Sequence, residues 1–488
     1  MKTIKNKLKK LNLSILLLFF TAINTYARLG GGGGSRSRSS SRSHSSSRSG
    51  GSHFDDSHFD DSHFDDSHFD DSHFDNSSDN DGIVSFKFII LIIIIIILYQ
   101  WYKKEQTKKN YLDNTQNFTD NLSFPEGLTA LKVQTAFLEM QKAWQHQNLS
   151  HVRKWMSDGL YQKLSVQIKM MQKLAQHNII SNLSIQEIAV KNFYTYNDFQ
   201  IVDVKITFKL DDLFYSDKYE TIREVYQDDY AIEYYTFLKK GNTVQDNSNL
   251  YNNSNCPNCG AEITTPLGEV SRCSNCNTLT NNPTYDWILC EITQEENYRK
   301  ESPLNYDPIL KEKCTNDTNF NIQSVEDIAS NISMQILDVL TGGNLIKLER
   351  FTHKEVRDKI LSYKQDIFNN VVFERLYIKE LSTQFYKTTN DNKLEVHLYA
   401  EVCGKRVRIE NDKLIAIDND LVNFSITLSL IKEITQQGAT NKETVFSYEC
   451  ANCGAPYDDT TNDTCNYCES IVVDESKNWV LNSFNLKF

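Results

Sequence analysis

The sequence predicts an α+β protein built twice over and tethered by one membrane span. Three observations lead there. Helical patterns come first and strand patterns follow, instead of alternating, which is the order of an α+β layout. The same order returns later in the chain at a steady offset. Cys256 and Cys450 are 194 positions apart, and Trp287 and Trp479 are 192 apart, so duplication is the simplest account. A run of nineteen residues, 83–101, carries a single charge, Lys87. As a helix it reaches about 30 Å, the hydrocarbon thickness of a bilayer.

The bulk numbers set bounds. With 488 residues there is room for about three domains. A net charge of −12 argues against general nucleic-acid binding, which needs Lys and Arg against phosphate. Eight of the eleven cysteines fall in C-x-x-C pairs, which points to metal and not to a disulfide scaffold.

Residues 1–27 read as a secretory signal: Lys2, Lys5, Lys7, Lys9 and Lys10, then an apolar core, then Thr25-Tyr26-Ala27. An uncleaved first anchor is the alternative, with the same topology. Residues 28–82 hold a Gly run, a Ser/Arg tract and five His-Phe-Asp-Asp-Ser copies starting at His53, the last with Asn76. That composition offers too little apolar surface to fold. The repeat could collect divalent metal, but the plainer reading is a solvated tract without fixed ligand geometry. The span is 83–102, closed by the aromatic group Tyr99, Trp101 and Tyr102. Lys103, Lys104, Lys108 and Lys109 follow it, so everything from 103 onward is expected inside the cell. Residues 103–125 are a linker.

The first folded unit is expected over 126–245. A helix over 128–146 places Leu131, Phe137, Leu138, Met140, Ala143 and Trp144 at helical spacing. Ser157 or Asp158 caps a second helix reaching Gln176. Residues 199–210 alternate Val202, Val204, Ile206, Phe208 and Leu210 against Asp203, Lys205, Thr207 and Lys209, a half-buried antiparallel strand. Another strand ends at EYYTFLKK, 233–240. A cysteine module and return strand occupy 250–292. The second half repeats the plan over 321–440, with its module and return strand over 445–483.

Cys256, Cys259, Cys273 and Cys276 form one ligand set; Cys450, Cys453, Cys465 and Cys468 form the other. Zinc favours four soft ligands in a tetrahedron, and two facing C-x-x-C turns supply its two edges. Two structural zinc ions are therefore expected. The residue after each second cysteine needs a left-handed backbone, which suits Gly260, Asn277 and Gly454 but not Glu469, so the last knuckle is expected to be looser. Four cysteines leave no open coordination position, which is the structural and not the catalytic pattern.

With these motifs in view, the chain resembles bacterial membrane-anchored Tim-forty-four-like domain proteins with zinc ribbons, the zinc-ribbon transport type. The resemblance rests on the signal, the Gly/Ser/Arg tract, the span, the first helices, EYYTFLKK, CPNCGAEI and DWILCEI, and more weakly on CANCGAPY and NWVLNSF. Tyr235 stands where the family usually has Trp. It implies two nuclear-transport-factor-like cone domains, helices on a curved antiparallel sheet, each followed by a ribbon. It also implies an apolar pocket and contact with lipid or protein at the bacterial inner membrane.

The functional expectation is a membrane-tethered cytoplasmic binding or scaffold protein in a transport-related role, with membrane lipid or a protein as partner. Trp144, Trp155, Phe193, Val204 and Phe208 are the candidate pocket lining, though plain core packing suits them as well. A small-molecule enzyme using the cone pocket is the alternative. His146, His151, His177, His353 and His397 are the histidines after the span, and none joins a recognisable nucleophile, so no catalytic residue is assigned. His177 reads as a helix C-terminal residue. Purely structural self-association is the third reading.

Overall fold

The computed structural model describes residues 122–196, 198–241, 250–298, 321–389, 391, 393–433, 448–457 and 463–488. The signal, the repeat tract, the span and linker residues 103–121 lie outside them. Among the described residues no helix is long and apolar enough to cross a membrane.

The first half opens with helix α1, Ala130–Gln145, capped by the Thr129 hydroxyl accepting from Lys132 N. A short 3-10 turn, Arg153–Trp155, leads to α2, Asp158–Lys173, capped by Ser157. Four strands follow: β1 Gln176–Tyr196, β2 Phe199–Ser216, β3 Arg223–Lys240 and β4 Ile288–Gln294. They form one antiparallel sheet in sequence order. The second half runs α3 Ile322–Leu340, a 3-10 turn Leu345–Arg350, α4 Lys354–Asp366, and strands β5 Val371–Thr388, β6 Lys393–Glu410, β7 Lys413–Ala416, β8 Val422–Glu433 and β9 Val480–Lys487. Its sheet order is β5-β6-β8-β9, with β7 beside β6. The fold is α+β with two antiparallel sheets.

The halves match in detail. Met156 bridges Leu289 in parallel in the first, and Thr352 bridges Leu481 in parallel in the second. Each cysteine module is inserted between the last two strands of its sheet, β3 and β4 or β8 and β9. The described residues all fall in one compact unit.

Packing departs from the sequence reading in four places. Leu131 is exposed, and Val133 and Ala136 fill the face of α1 instead. Helix α2 stops at Lys173, because Ala175 turns left-handed at φ 46 and β1 starts at Gln176. His177 therefore lies in a strand, 2.8 Å from the Asp217 carboxylate, and not at a helix end. Strand β2 is buried on both faces, with Asp203 at 0% exposure and Lys205 at 4%. Its polar face is closed by the segment after β4. There Tyr298 stacks on Tyr234 at 3.7 Å and donates to Asp203 Oδ2 at 3.1 Å, while Thr236 donates to Asp203 Oδ1 at 2.8 Å. Lys205 pairs with Glu187 at 2.8 Å.

Helices α2 and α3 join the two halves. Helix α2 packs on α3, β4 and β5, which explains why polar Gln162, Lys163 and Gln167 are buried with its apolar stripe. Asp327 of α3 reaches the start of α2, accepting from Ser157 Oγ at 2.6 Å and Gly159 N at 3.0 Å. A Cβ at Gly159 would overlap the Asp327 carbonyl, so only glycine permits this approach. Desolvation pushes the Asp327 carboxyl up to about 6, opposed by those two hydrogen bonds.

Candidate metal centres

Each cysteine set is brought together as the sequence expected. In each, all four sulfurs lie within 4.8 Å of one another. Cys256 and Cys276 are 3.6 Å apart and Cys259 and Cys273 3.8 Å; Cys450 and Cys468 are 3.7 Å apart and Cys453 and Cys465 3.8 Å. A zinc–sulfur bond of about 2.3 Å gives a tetrahedral edge of about 3.8 Å, while a disulfide bond is about 2.05 Å. The spacing is compatible with one zinc ion in each cluster and shows no disulfide.

The knuckles explain the spacing. Gly260, Asn277, Gly454 and Glu469 all adopt a left-handed backbone, at φ 73, 62, 75 and 59. Each donates its N–H to the carbonyl of its first cysteine, at 3.0, 2.9, 2.8 and 2.9 Å. The fourth knuckle is therefore built like the others and is not looser at Glu469.

Residues outside the cysteines support the sulfurs. Asn258 Nδ2 donates to Cys276 at 3.6 Å, Asn275 Nδ2 to Cys259 at 3.5 Å and Asn452 Nδ2 to Cys468 at 3.6 Å. Three C-x-x-C turns thus carry an asparagine in the third position that reaches across to the opposite turn. The repeated C-x-N-C is the sequence signal for these donors. The Thr278 hydroxyl holds the Cys276 thiol down to about 6, and the Ser470 hydroxyl holds Cys468 down to about 5. Thiolate is the form that grips a metal.

Both modules are bolted to the helices. Arg153, fully buried, donates to the carbonyls of Gly268 at 2.8 Å and Glu269 at 2.9 Å in the first module. Trp155 stacks on Tyr251 at 4.8 Å. From the same loop, the Glu269 side chain pairs with Lys347 of the second half. Arg272 forms a two-point pair with Glu449 at the base of the second module. Tyr448, one residue earlier, accepts from Asn331 of α3 at 3.1 Å and donates to Gln162 of α2 at 3.4 Å.

The five pocket candidates lie in two kinds of surroundings. Trp144, Trp155, Val204 and Phe208 are core residues, 4% exposed or less, while Phe193 is 41% exposed on the edge strand. Phe208 packs on Phe137 at 4.7 Å, and Trp144 Nε1 donates to Asn178 Oδ1 at 2.9 Å. Both contacts join α1 to the sheet. Cys290 and Cys403 are buried thiols outside both clusters.

No family model matches the chain, and no curated protein matches it. Among solved structures, it is similar to an Ntf2 like protein involved in plasmid conjugation. The identity is 7%, with 58% of this chain and 88% of that chain covered, at a TM-score of 0.13. A likeness that slight carries no argument.

Proposed function

We propose that this chain is a non-catalytic binding scaffold of the Tim-forty-four-like kind, held at the inner membrane by residues 83–102, with one structural zinc ion in each ribbon. Its transport-related role rests on the family resemblance. The observation that supports the scaffold reading most is the placement of the ribbons. The first ribbon's loop contacts helical turns of both halves, and the base of the second touches α2 and α3. Metal bound there stiffens a junction and leaves no ligand position for chemistry.

The test is metal content with topology. The purified cytoplasmic region should carry close to two zinc ions per chain, and proteases added outside spheroplasts should spare it. One ion or none, or cleavage from outside, overturns the reading. Native mass spectrometry of the detergent-extracted protein identifies the lipid or protein partner. An empty, solitary chain counts against a binding role.

A further inference from the structure

A second feature lies away from both ribbons. The ends of α2, α3 and α4 meet the start of β5 around an open cleft of about 680 Å³. That is within the usual range of small-molecule sites, roughly 300–1,000 Å³. Phe368, Val372 and Ile409 give it an apolar floor, and Lys173, Lys364 and Asn370 stand on its rim. Lys173 comes from the first half and the other five residues from the second, so the cleft exists only when the halves are joined.

Charge is the telling property. The whole chain is strongly acidic, at −12, yet this cleft gathers ammonium groups. Burial is the main cause that lowers the Lys173 pKa; the Asp338 carboxylate opposes it, and the nearby charges of Lys169 and Lys364 lower it further by smaller amounts. Asp338 is already engaged by Lys169 at 2.8 Å. The helix-end carbonyls nearby are satisfied within the chain. Thr341 O accepts from Lys173 Nζ at 2.7 Å, Asp338 O from Gly343 N at 2.7 Å, and Tyr363 O from Ile367 N at 2.9 Å. An ammonium has three donors, and only one of those on Lys173 is used by Thr341 O.

We propose that this cleft is a binding site for a small organic anion with a compact apolar body, such as an aryl carboxylate. The carboxylate sits between Lys173 and Lys364, and the ring lies on Phe368, Val372 and Ile409. This assigns a ligand class that neither the membrane tether nor the zinc clusters imply, and zinc content and ligand binding are separate measurements.

Titration of the zinc-loaded cytoplasmic region, followed by calorimetry and by NMR, tests the site with three probes. Phenylacetate should bind saturably. Its uncharged amide, phenylacetamide, should bind at least tenfold more weakly, and inorganic phosphate, which lacks the body, likewise. Lys364→Gln should weaken phenylacetate at least tenfold, and Ile409→Trp, which fills the floor, should abolish binding. Lys364 is a partly exposed side chain outside the buried core, so that variant should keep the fold. Its circular dichroism and thermal midpoint verify this, and Lys364→Arg should restore binding. No saturable phenylacetate binding, equal binding of phenylacetamide or of phosphate, or indifference to both substitutions overturns the proposal.

Discussion

Glu469 shows what a single backbone angle can reveal. Its φ of 59 places an L side chain in the left-handed region, where glycine carries no penalty. Glu469→Gly should stabilise the zinc-loaded protein by about 1 kcal/mol, read as a higher urea midpoint. A lower midpoint would mean that the glutamate side chain contributes more than its strain costs. Asp327 makes a different prediction, through pH. Its folded pKa, about 6, is raised above the ordinary 3.8, so the folded chain holds the proton more tightly than the unfolded one. The stability it lends is full below that ordinary value and is lost as pH rises through about 6, on the order of 1–3 kcal/mol. Asp327→Asn cannot ionise, so its urea midpoint should fall less than that of the parent between about pH 5 and about pH 7. Parallel curves would place the pH dependence elsewhere. Neither behaviour could be read from residue type. Glutamate argues against the left-handed conformation, and an aspartate on a helix looks solvated until the partner helix is seen.

The knuckle and the strand differ in how openly they announce themselves. C-x-x-C spacing alone picked out all eight cysteines of the two clusters, because two thiolates on one short turn leave little geometric freedom. The asparagines that donate across each cluster needed the fold to be seen. Asn452→Ala removes a donor to Cys468 and should weaken zinc binding in the second ribbon roughly 10–100-fold by chelator competition, leaving the first ribbon unchanged. Equal affinity would reduce that contact to coincidence. Strand β2 carries the opposite lesson. Its alternation names the polar face correctly but is silent on whether anything covers that face. Covering it takes Tyr298, from a distant part of the chain. Tyr298→Phe leaves Asp203 one donor poorer in a buried place and should cost about 1–3 kcal/mol by urea denaturation. Strand β1 hid for a related reason. Register shifts after Ser181, Ile185 and Val190 break its alternation, so no period of two runs its length.

The duplication was readable from offsets between cysteines and tryptophans, but the way the copies hold each other was not. Contacts between halves join residues whose partners lie far away in sequence and follow no period. They are also what makes the ribbons matter to the whole molecule. Glu269 sits in the first ribbon's loop and pairs with Lys347, Arg272 pairs with Glu449, and Tyr448 reaches both α2 and α3. Those residues sit on or beside loops that a bound zinc ion would close. Without it, four sulfurs per cluster lose their common partner, and the loops regain the entropy that closure removed. Chelation should therefore act beyond the ribbons. Hydrogen exchange after removal of both ions should quicken in the two ribbons and, to a lesser degree, at the 3-10 turns and at the start of α2. The centres of β2 and β6, paired on both sides, should keep their protection. Faster exchange confined to the ribbons would make them ornaments on a junction that stands by itself. Collapse of protection throughout the sheets would make them the nucleus of the fold.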